Sequence, residues 1–418
     1  MKITFAHCNL LDGNENMVIQ KNVNVIIEND KIIAIDSDKV EGTIINCANK
    51  YICPGLINMH VHLSSDGSFD QEKMAKHTAS LVNSNILGKH FGIRLCQKYA
   101  YTQLMSGVTT MRCVGGLSDV DSQIRDKVNQ GKTIGPRMIV ANRAITMKDG
   151  YMNHQGAYEV SDLEESKDAL NRLLKTKPDF IKIMVTGSLT QNKINDVMMP
   201  EEIIRYVTAT AHHHHIQVAA HAQNEEGVRR ALENGVDIIE YGSHMDERLQ
   251  SLYLRKGAKI ISVLSGVIPY AKFDNTVTAV SNEVKENAKN VLDGVIDNVK
   301  QAIQHEIPVG IGNDAGRPFV RHSDFYRELI YFKNYMKVSN QYTLYCATKR
   351  NAQLLNIDSI TGTVEVGKKA DFLILDENPI KDLKALSKIN TVVFEGRVFS
   401  HPSIKKNRIN ESIWNMYG

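Results

Sequence analysis

The stretch Pro54-Gly55-Leu56-Ile57-Asn58-Met59-His60-Val61-His62 decides the fold, because it is a short apolar run that ends in two histidines. Residues two apart on a strand point to the same side, so both imidazoles can reach one metal ion from the carboxyl end of the strand. Active sites of parallel β-barrels lie at that end. A His-x-His pair often occurs by chance, but its place at the end of a predicted strand favours a metal site.

Apolar runs of this kind alternate with helical stretches along the middle of the chain. The alternation is typical of βα units around a parallel sheet, and eight parallel strands favour a closed barrel. The helix signals agree, since one helical stretch opens after Pro200 and another ends at Gly235. The eight runs are 56–60, 108–112, 137–141, 180–185, 217–221, 237–241, 259–263 and 308–312.

Both ends of the chain are instead rich in short β-type runs. Those at 23–27 and 32–35 are separated by a turn-like stretch, and those at 371–375 and 391–394 precede turn signals. We therefore predict an α/β protein in two parts. Residues 1–55 and 360–418 pair into a small β-sandwich domain, and residues 56–359 form a (β/α)8 TIM-like barrel.

The composition excludes several classes of protein. Of 418 residues, 42% are hydrophobic and 23% are charged, and the formal net charge is +3, which indicates neither disorder nor an electrostatic nucleic-acid binder. No apolar run approaches the roughly 20 residues that span a bilayer, and no leader-like segment opens the chain. The six cysteines include no CxxC pair, which is typical of free thiols in a reducing compartment. We expect a cytoplasmic enzyme that acts on a small molecule, with no nucleic-acid or membrane partner.

Further candidate ligands follow the later strands at the same end of the predicted barrel, namely Lys182, His221, His244 and Asp314. Any one of them alone is better explained as a rim residue bonded to a loop than as a ligand. Together with the His-x-His pair they favour a metal centre. Lys182 lies between two isoleucines, so it should face the barrel interior, where an unpaired ammonium is costly. It should be paired or chemically modified.

Taken jointly, these motifs resemble the amidohydrolase superfamily, and within it the imidazolonepropionase-like and prolidase-like dipeptidases. The resemblance extends over nearly the whole chain, through 54–62, 181–184, 218–222, 312–316 and 367–371. It implies a hydrolase that cleaves an amide bond of a dipeptide or N-acyl amino acid. A homo-oligomer is expected by this resemblance only.

The resemblance also implies a ligand set. Lys182 would be carboxylated and bridge two divalent metals, expected to be zinc. One metal would be held by His60, His62 and Asp314, and the other by His221 and a histidine of the sixth strand. Asp314 would be the catalytic proton shuttle, taking a proton from a metal-bound hydroxide as it attacks the carbonyl, in agreement with general metal-assisted hydrolysis.

The sixth strand departs from the family pattern. The family strand ends Ile-Glu-His-Gly, whereas this chain has Ile239-Glu240-Tyr241-Gly242-Ser243-His244. His244 is favoured as the substitute ligand. Alternatively, Tyr241 lines the pocket beside a weakened or absent second metal, which keeps open a cyclic-amide hydrolase or deaminase with a mononuclear site. A barrel that only binds a small ligand is a third hypothesis, and Asp314 beside a nearly full ligand set argues against it.

Three residues are candidates for substrate binding. They are His154, which resembles a family loop histidine, Tyr241, and His322 after the eighth strand. His322 lies near Arg317 and Arg321, whose guanidinium groups match carboxylates. The histidine run at 212–215 ends a helix before the fifth strand, so we expect it at the opposite rim, away from the metals.

Overall fold

The computed structural model describes residues 1–68, 71–152, 156–187, 189, 196–404 and 414, with the backbone alone described at 71–75. The chain divides into two compact units. Unit 1 comprises Met1–Asn58, Tyr101–Met111 and the described part of Ser323–Lys405, and unit 2 comprises Met59–Ala100 and Arg112–His322, together with Trp414. Unit 1 thus includes residues 323–359, which the sequence analysis assigned to the barrel. The domain boundaries, residues 1–55 with 360–418 and residues 56–359, stay a prediction.

The secondary structure follows the predicted change of rhythm along the chain. The strands are β1 (Lys2–Leu10), β2 (Gln20–Glu28), β3 (Lys31–Asp36), β4 (Thr43–Asn46), β5 (Tyr51–Pro54), β6 (Leu56–Val61), β7 (Val108–Cys113), β8 (Arg137–Val140), β9 (Ala144–Met147), β10 (Ala157–Val160), β11 (Phe180–Met184), β12 (Gln217–Ala222), β13 (Ile238–Tyr241), β14 (Lys259–Ser262), β15 (Val309–Ile311), β16 (Phe372–Leu375), β17 (Ile389–Phe394) and β18 (Arg397–Ser400).

The helices are α1 (Gln71–Val82), α2 (Ile86–Met105), α3 (Val120–Asn129), α4 (Leu163–Leu174), α5 (Glu201–His213), α6 (Glu225–Glu233), α7 (Glu247–Lys256), α8 (Ile268–Lys272), α9 (Asn275–Thr278), α10 (Asn282–Gln304), α11 (Phe325–Met336), α12 (Asn340–Tyr345) and α13 (Asn351–Leu354). A π-helical turn, Cys346–Arg350, joins α12 to α13, and Leu383–Ser387 is a 3-10 helix. Among the described residues, no helix combines the length and the apolarity that crossing a bilayer requires.

Unit 1 contains one sheet built from both ends of the chain. Its strands are ordered β18-β17-β16-β5-β1-β2-β3, and β4 also pairs with β1. Antiparallel pairing of β16 with β5 joins the C-terminal strands to the N-terminal ones, which confirms that the two ends form one β-rich unit. Phe5 and Phe372 meet edge to face in its core, with ring centroids 5.0 Å apart. Because the strands form a single hydrogen-bonded sheet, the two-layered sandwich stays a prediction.

Each of the eight apolar runs of the middle segment forms a strand. Strands β11 to β15 pair in parallel and in chain order, with β9 and β10 beyond β11, and β6 to β8 form a three-stranded sheet. Backbone hydrogen bonds connect these sheets: Asp179 N donates to Val140 O at 2.7 Å, Asp314 N donates to His60 O at 2.9 Å, and His62 N donates to Ala315 O at 2.7 Å. The mixed α/β class is confirmed.

Side-chain caps begin several of the helices that connect these strands, including α4, α6, α7 and α10. The Asn224 side chain accepts a hydrogen bond from Gly227 N at the start of α6, and the helix ends just before Gly235, as the sequence predicts. Helix α6 buries Val228 and Leu232 on one face. The next strand therefore begins shortly after Gly235, and its carboxyl end lies on the same side of the sheet as the ends of its neighbours.

Candidate metal centre

The His-x-His pair and Asp314 lie together at the ends of β6 and β15. All three side chains are buried. The distance from Asp314 Oδ1 to Nε2 is 3.4 Å for His60 and 3.1 Å for His62. Within the described ranges, this is the group of histidine, cysteine and acidic residues whose ligand atoms are close enough for one ion, all within 4.8 Å of one another.

The local backbone explains why these side chains meet. A Cβ atom at Gly312 would lie 2.6 Å from His60 Cβ, so glycine permits the close approach of the segment after β15 to β6. Asp314 has a φ of 62°, in the left-handed region that is uncommon for residues other than glycine. Because of this conformation, the extended chain that follows β15 ends at Asp314, whose carboxylate lies close to both histidines.

Hydrogen bonds to the Nδ1 atoms of His60 and His62 determine which nitrogen of each imidazole is available to a metal ion. His60 Nδ1 lies 2.8 Å from Glu240 Oε2, and His62 Nδ1 lies 2.9 Å from Gly115 O. A carboxylate and a carbonyl only accept, so both Nδ1 atoms carry the proton. Burial lowers the pKa of His60, despite the opposing effect of Glu240. A neutral imidazole in this tautomer has a lone pair on Nε2, directed at Asp314.

The chemistry of this donor set fits a divalent metal. Asp314 Oδ1 accepts no hydrogen bond from any described residue, although it is buried. Without a cation, two nitrogen lone pairs would face a carboxylate oxygen in a buried site, which is repulsive. Two ligand atoms about 2.0 Å from a tetrahedral zinc ion are about 3.3 Å apart, close to the 3.1 Å and 3.4 Å observed here.

Glu240, at the end of β13, anchors His60 from behind. It is fully buried, and Arg112 donates to its Oε1 at 2.7 Å. The guanidinium of Arg112 stacks over Phe180, 4.2 Å from the ring centroid. Burial by itself raises the pKa of Glu240, but Arg112 and Lys182 lower it well below its ordinary value. Glu240 is therefore an ionised acceptor that holds the His60 ring in one tautomer and one orientation.

Substituting Glu240 by glutamine should weaken metal binding by 10- to 100-fold, roughly the usual effect of losing such a supporting carboxylate. The amide leaves the Arg112 charge without an ionic partner and supports His60 Nδ1 less strongly. Metal affinity measured by competition with a chromogenic chelator checks this. Glu328→Gln is the control, since Glu328 is also fully buried but belongs to unit 1; an equal loss in both variants would contradict the positioning role.

Lys182 and His221 extend from β11 and β12 into the same region. Both are buried, and neither Lys182 Nζ nor His221 Nε2 has a hydrogen-bond partner among the described residues. The ammonium lies 3.9 Å from Glu240 Oε1, beyond hydrogen-bonding distance. Burial lowers the pKa of Lys182 to about 8. Two buried polar groups without hydrogen-bond partners are costly, so this part of the site also fits additional ligands.

Tyr241 lies between these groups. Its hydroxyl donates to Asp314 Oδ2 at 2.6 Å, and its ring meets His60 and His221 edge to face, with centroids 5.8 Å and 5.1 Å away. Tyr241 has a φ of 73°, and a Cβ atom at Gly266 would lie 2.9 Å from its hydroxyl oxygen. The side chain therefore lies beside the candidate centre, and the weakened or absent second metal of the sequence-based alternative stays a prediction.

The structure does not bring His244 to this centre. Its side chain is 57% exposed, and Nδ1 lies 3.4 Å from Asp297 Oδ2. His244 follows the left-handed residues Tyr241 and Gly242, after which the chain has left the strand. We therefore leave His244 out of the proposed ligand set.

The other predicted substrate residues are placed differently. His322 is buried, its Nε2 is 2.7 Å from Ser65 O, and its ring stacks on Tyr99 at 4.9 Å. Burial lowers the pKa of His322 to about 4. The Nε2 atom of His322 is engaged with the Ser65 backbone. This placement does not support a role of His322 in substrate binding. His154 lies outside the described residues.

A cavity opens beside Asp314. It encloses about 310 Å³ of atom-free space, including its mouth. Arg317 contributes a guanidinium to it; its side chain is 14% exposed, its Nε is 4.0 Å from Asp314 Oδ2, and it stacks over Tyr151 at 5.0 Å. The cavity is lined by Tyr151, Leu189, His221, Gln223, Tyr241, Gly266, Val267, Tyr270, Asp314 and Arg317. Sequence reasoning missed Tyr151, Gln223 and Tyr270, which lie in segments without a periodic pattern.

A buried His–His–Asp group at the carboxyl ends of parallel strands defines a candidate metalloenzyme of the α/β class. The chain belongs to the amidohydrolase family, whose family model matches residues 51–399. Members of this family are hydrolases that act on C–N bonds. The resemblance seen in the motifs is thereby confirmed, and its prolidase-like branch agrees with the structural neighbours.

Two curated proteins illustrate how distant the relatives are. An ochratoxinase of Aspergillus niger is 22% identical over 387 aligned residues, which cover 84% of this chain and 76% of that protein. An imidazolonepropionase of Picrophilus torridus is 22% identical over 359 residues, covering 81% and 82%.

Two solved structures are more similar in sequence. A candidate prolidase from Bifidobacterium longum superposes with a TM-score of 0.85 at 29% identity, over 99% of this chain and 98% of that one. A Xaa-Pro dipeptidase with bound methionine in its active site superposes with a TM-score of 0.81 at 26% identity, over 96% and 100%.

Proposed function

We propose that this protein is a metal-dependent hydrolase that cleaves the amide bond of a dipeptide or N-acyl amino acid. The observation that carries the proposal is the convergence of His60 Nε2, His62 Nε2 and Asp314 Oδ1 beside a cavity that contains one guanidinium. The names of the structural neighbours, a candidate prolidase and a Xaa-Pro dipeptidase, support the substrate class.

The parallel strands, in this proposal, close into an eight-stranded (β/α)8 barrel. The hydrogen bonds from Asp179 to Val140 and from Asp314 to His60 support closure, because they link β8 to the segment before β11 and the segment after β15 to β6. A closed barrel would place the carboxyl ends of all eight strands around one site.

Zinc is the expected metal. His60, His62 and Asp314 would hold one ion, and a second would be held by His221 and by a carboxylated Lys182 that bridges both. A divalent metal in this position lowers the pKa of bound water and polarises a carbonyl. Carboxylation joins the neutral Lys182 amine to carbon dioxide, forming a carbamate and releasing one proton. The lowered pKa of Lys182 supports this step, since it raises the neutral fraction of the amine at neutral pH, and the product removes a buried ammonium.

Asp314 is the proton shuttle of the proposed reaction. Water adds its oxygen to the amide carbon and loses a proton to the Asp314 carboxylate. Tyr241 donates to Oδ2, which keeps the carboxylate oriented with Oδ1 toward the histidines. As the C–N bond breaks, Asp314 returns the proton to the departing nitrogen, which gives a carboxylic acid and a free amine; the acid then releases its own proton to solvent.

Arg317 is the residue we assign to the substrate carboxylate, in place of His322. Replacing Arg317 by methionine should raise KM for a dipeptide about 10- to 100-fold, the effect of losing a charged hydrogen bond, with a smaller change in kcat. The comparison that checks this is a dipeptide against the same dipeptide with an amidated C-terminus. The wild type should prefer the free acid and Arg317→Met should not; an unchanged preference in the variant would exclude Arg317.

The experiment that tests the function is metal analysis combined with a dipeptide panel. Elemental analysis gives the metal content per chain, and hydrolysis is followed with and without chelator. Two metals with chelator-sensitive cleavage support a dipeptidase with a carboxylated Lys182. Absence of cleavage of every dipeptide and N-acyl amino acid in a fully metallated sample would contradict the proposal.

A second candidate is a cyclic-amide hydrolase or deaminase with a mononuclear site. The observation that favours it is the placement of Tyr241, whose hydroxyl is bound to Asp314, with His244 exposed. No sixth-strand histidine is then available to a second metal. One metal per chain and no peptide cleavage would favour this candidate, which the imidazolonepropionase relative also supports.

A further inference from the structure

The only tryptophan of the chain is anchored beside the cavity wall. Trp414 is buried, and its Nε1 donates to Phe319 O at 2.8 Å. Its ring meets Phe273 edge to face, with centroids 4.9 Å apart. One side chain near the C-terminus thus contacts two segments that are more than forty residues apart along the chain.

The first of these segments follows Asp314 and has an unusual backbone. Asp314 and Phe319 have φ values of 62° and 69°, and Gly316 has a φ of 95°. Residues other than glycine rarely adopt such values, so contacts with the surroundings must hold Asp314 and Phe319 in this conformation. The indole hydrogen bond is made to the carbonyl of one of these strained residues, Phe319.

The second segment is α8 and the residue after it. Phe319 contacts Tyr270 of α8 at 6.0 Å and Phe273 at 5.8 Å, both edge to face. Trp414 completes this aromatic cluster through Phe273. One set of ring contacts therefore joins α8 to the segment that follows Asp314. Trp414 is the last residue of this aromatic cluster in the sequence.

Both segments contribute to the cavity. Arg317 lies two residues before Phe319, and Tyr270 is itself a member of the aromatic cluster. We propose that Trp414 is a positioning residue, which keeps Arg317 and Tyr270 in place in the substrate cavity by joining their two segments. This inference rests on the proposed function, because it assigns the cavity to the substrate.

Two variants separate the hydrogen bond from the ring. Trp414→Phe keeps an aromatic ring but removes the N–H, so we expect KM to rise about fivefold, the effect of one lost hydrogen bond. Trp414→Ala also removes the ring, and KM should rise further, by about 20-fold or more. The kcat value should change less than KM in both, because the two contacts of Trp414 described above are with Phe319 and Phe273, which have no part in the proposed chemistry.

Limited proteolysis gives a readout that does not depend on activity. Arg321 is buried near the end of the same segment, whereas the bond after Arg317 precedes Pro318 and resists trypsin. Loosening the segment should speed tryptic cleavage after Arg321 in Trp414→Phe and more so in Trp414→Ala. Phe5→Leu is the control, since it loses core packing in unit 1 and should leave cleavage after Arg321 and KM unchanged.

The outcomes distinguish a failure of the positioning role of Trp414 from a failure of the proposed hydrolase function. A raised KM with faster cleavage after Arg321 in both tryptophan variants supports the positioning role. Wild-type KM and wild-type cleavage, or a lower melting temperature as the sole effect, overturn it. If the wild-type protein cleaves no amide at all, the proposed function fails, and proteolysis alone decides whether Trp414 holds the segment.

Discussion

Replacing Asp314 by asparagine should lower kcat by about 10³-fold for any dipeptide that the enzyme cleaves, since general acid–base catalysis contributes about 10²- to 10⁴-fold. Asparagine preserves the shape of the side chain and an oxygen that can face His60 and His62. It cannot take a proton from water or return one to the departing amine. Steady-state kinetics and metal content should be measured on the same preparation.

The metal measurement is essential, because Asp314 is both a proposed ligand and the proposed base. Asp297→Asn is the matched control; this carboxylate lies near His244, away from the cavity, and kcat should be unchanged. A fully metallated Asp314→Asn variant with near wild-type kcat would exclude Asp314 as the proton shuttle. Loss of activity that excess metal restores would instead identify Asp314 as a ligand only.

The parallel strands and the candidate metal-binding group of His60, His62 and Asp314 could be predicted because their signals are local. Apolar runs of strand length with helix caps between them identify the strands without knowledge of tertiary contacts. The His-x-His spacing on β6 and the position of Asp314 just after β15 then place three side chains at one end of the sheet. The structure brings these three together.

The sixth-strand position could not be resolved from sequence, because it depends on a backbone angle. His244 is only three residues beyond Tyr241. Which side chain faces the centre therefore depends on the residue at which the strand ends. The left-handed conformations of Tyr241 and Gly242 end the strand and leave His244 exposed. A φ value near 70° at a tyrosine has no sequence signature.

The cavity lining was also beyond sequence reasoning. Tyr151, Tyr270 and Arg317 come from connecting segments, whose conformation is set by contacts distant in sequence. The anchoring of Phe319 by Trp414 spans 95 residues. Periodicity carries no information about such a contact, so Arg317 could be named only as a residue near His322.

Substituting His60 or His62 by asparagine should remove the metal, and this comparison tests the ligand set most directly. Loss of a supporting residue alone weakens metal binding about 10- to 100-fold, so loss of a ligand should exceed about 100-fold. His244→Asn is the matched control, with the same change of residue at a histidine that is exposed and paired with Asp297. Metal content after dialysis against a weak chelator, with circular dichroism to verify folding, distinguishes the two histidine environments. Retention of metal in His60→Asn and His62→Asn, or its loss in His244→Asn, would move the centre to the sixth strand and contradict the assignment made from the His-x-His pair.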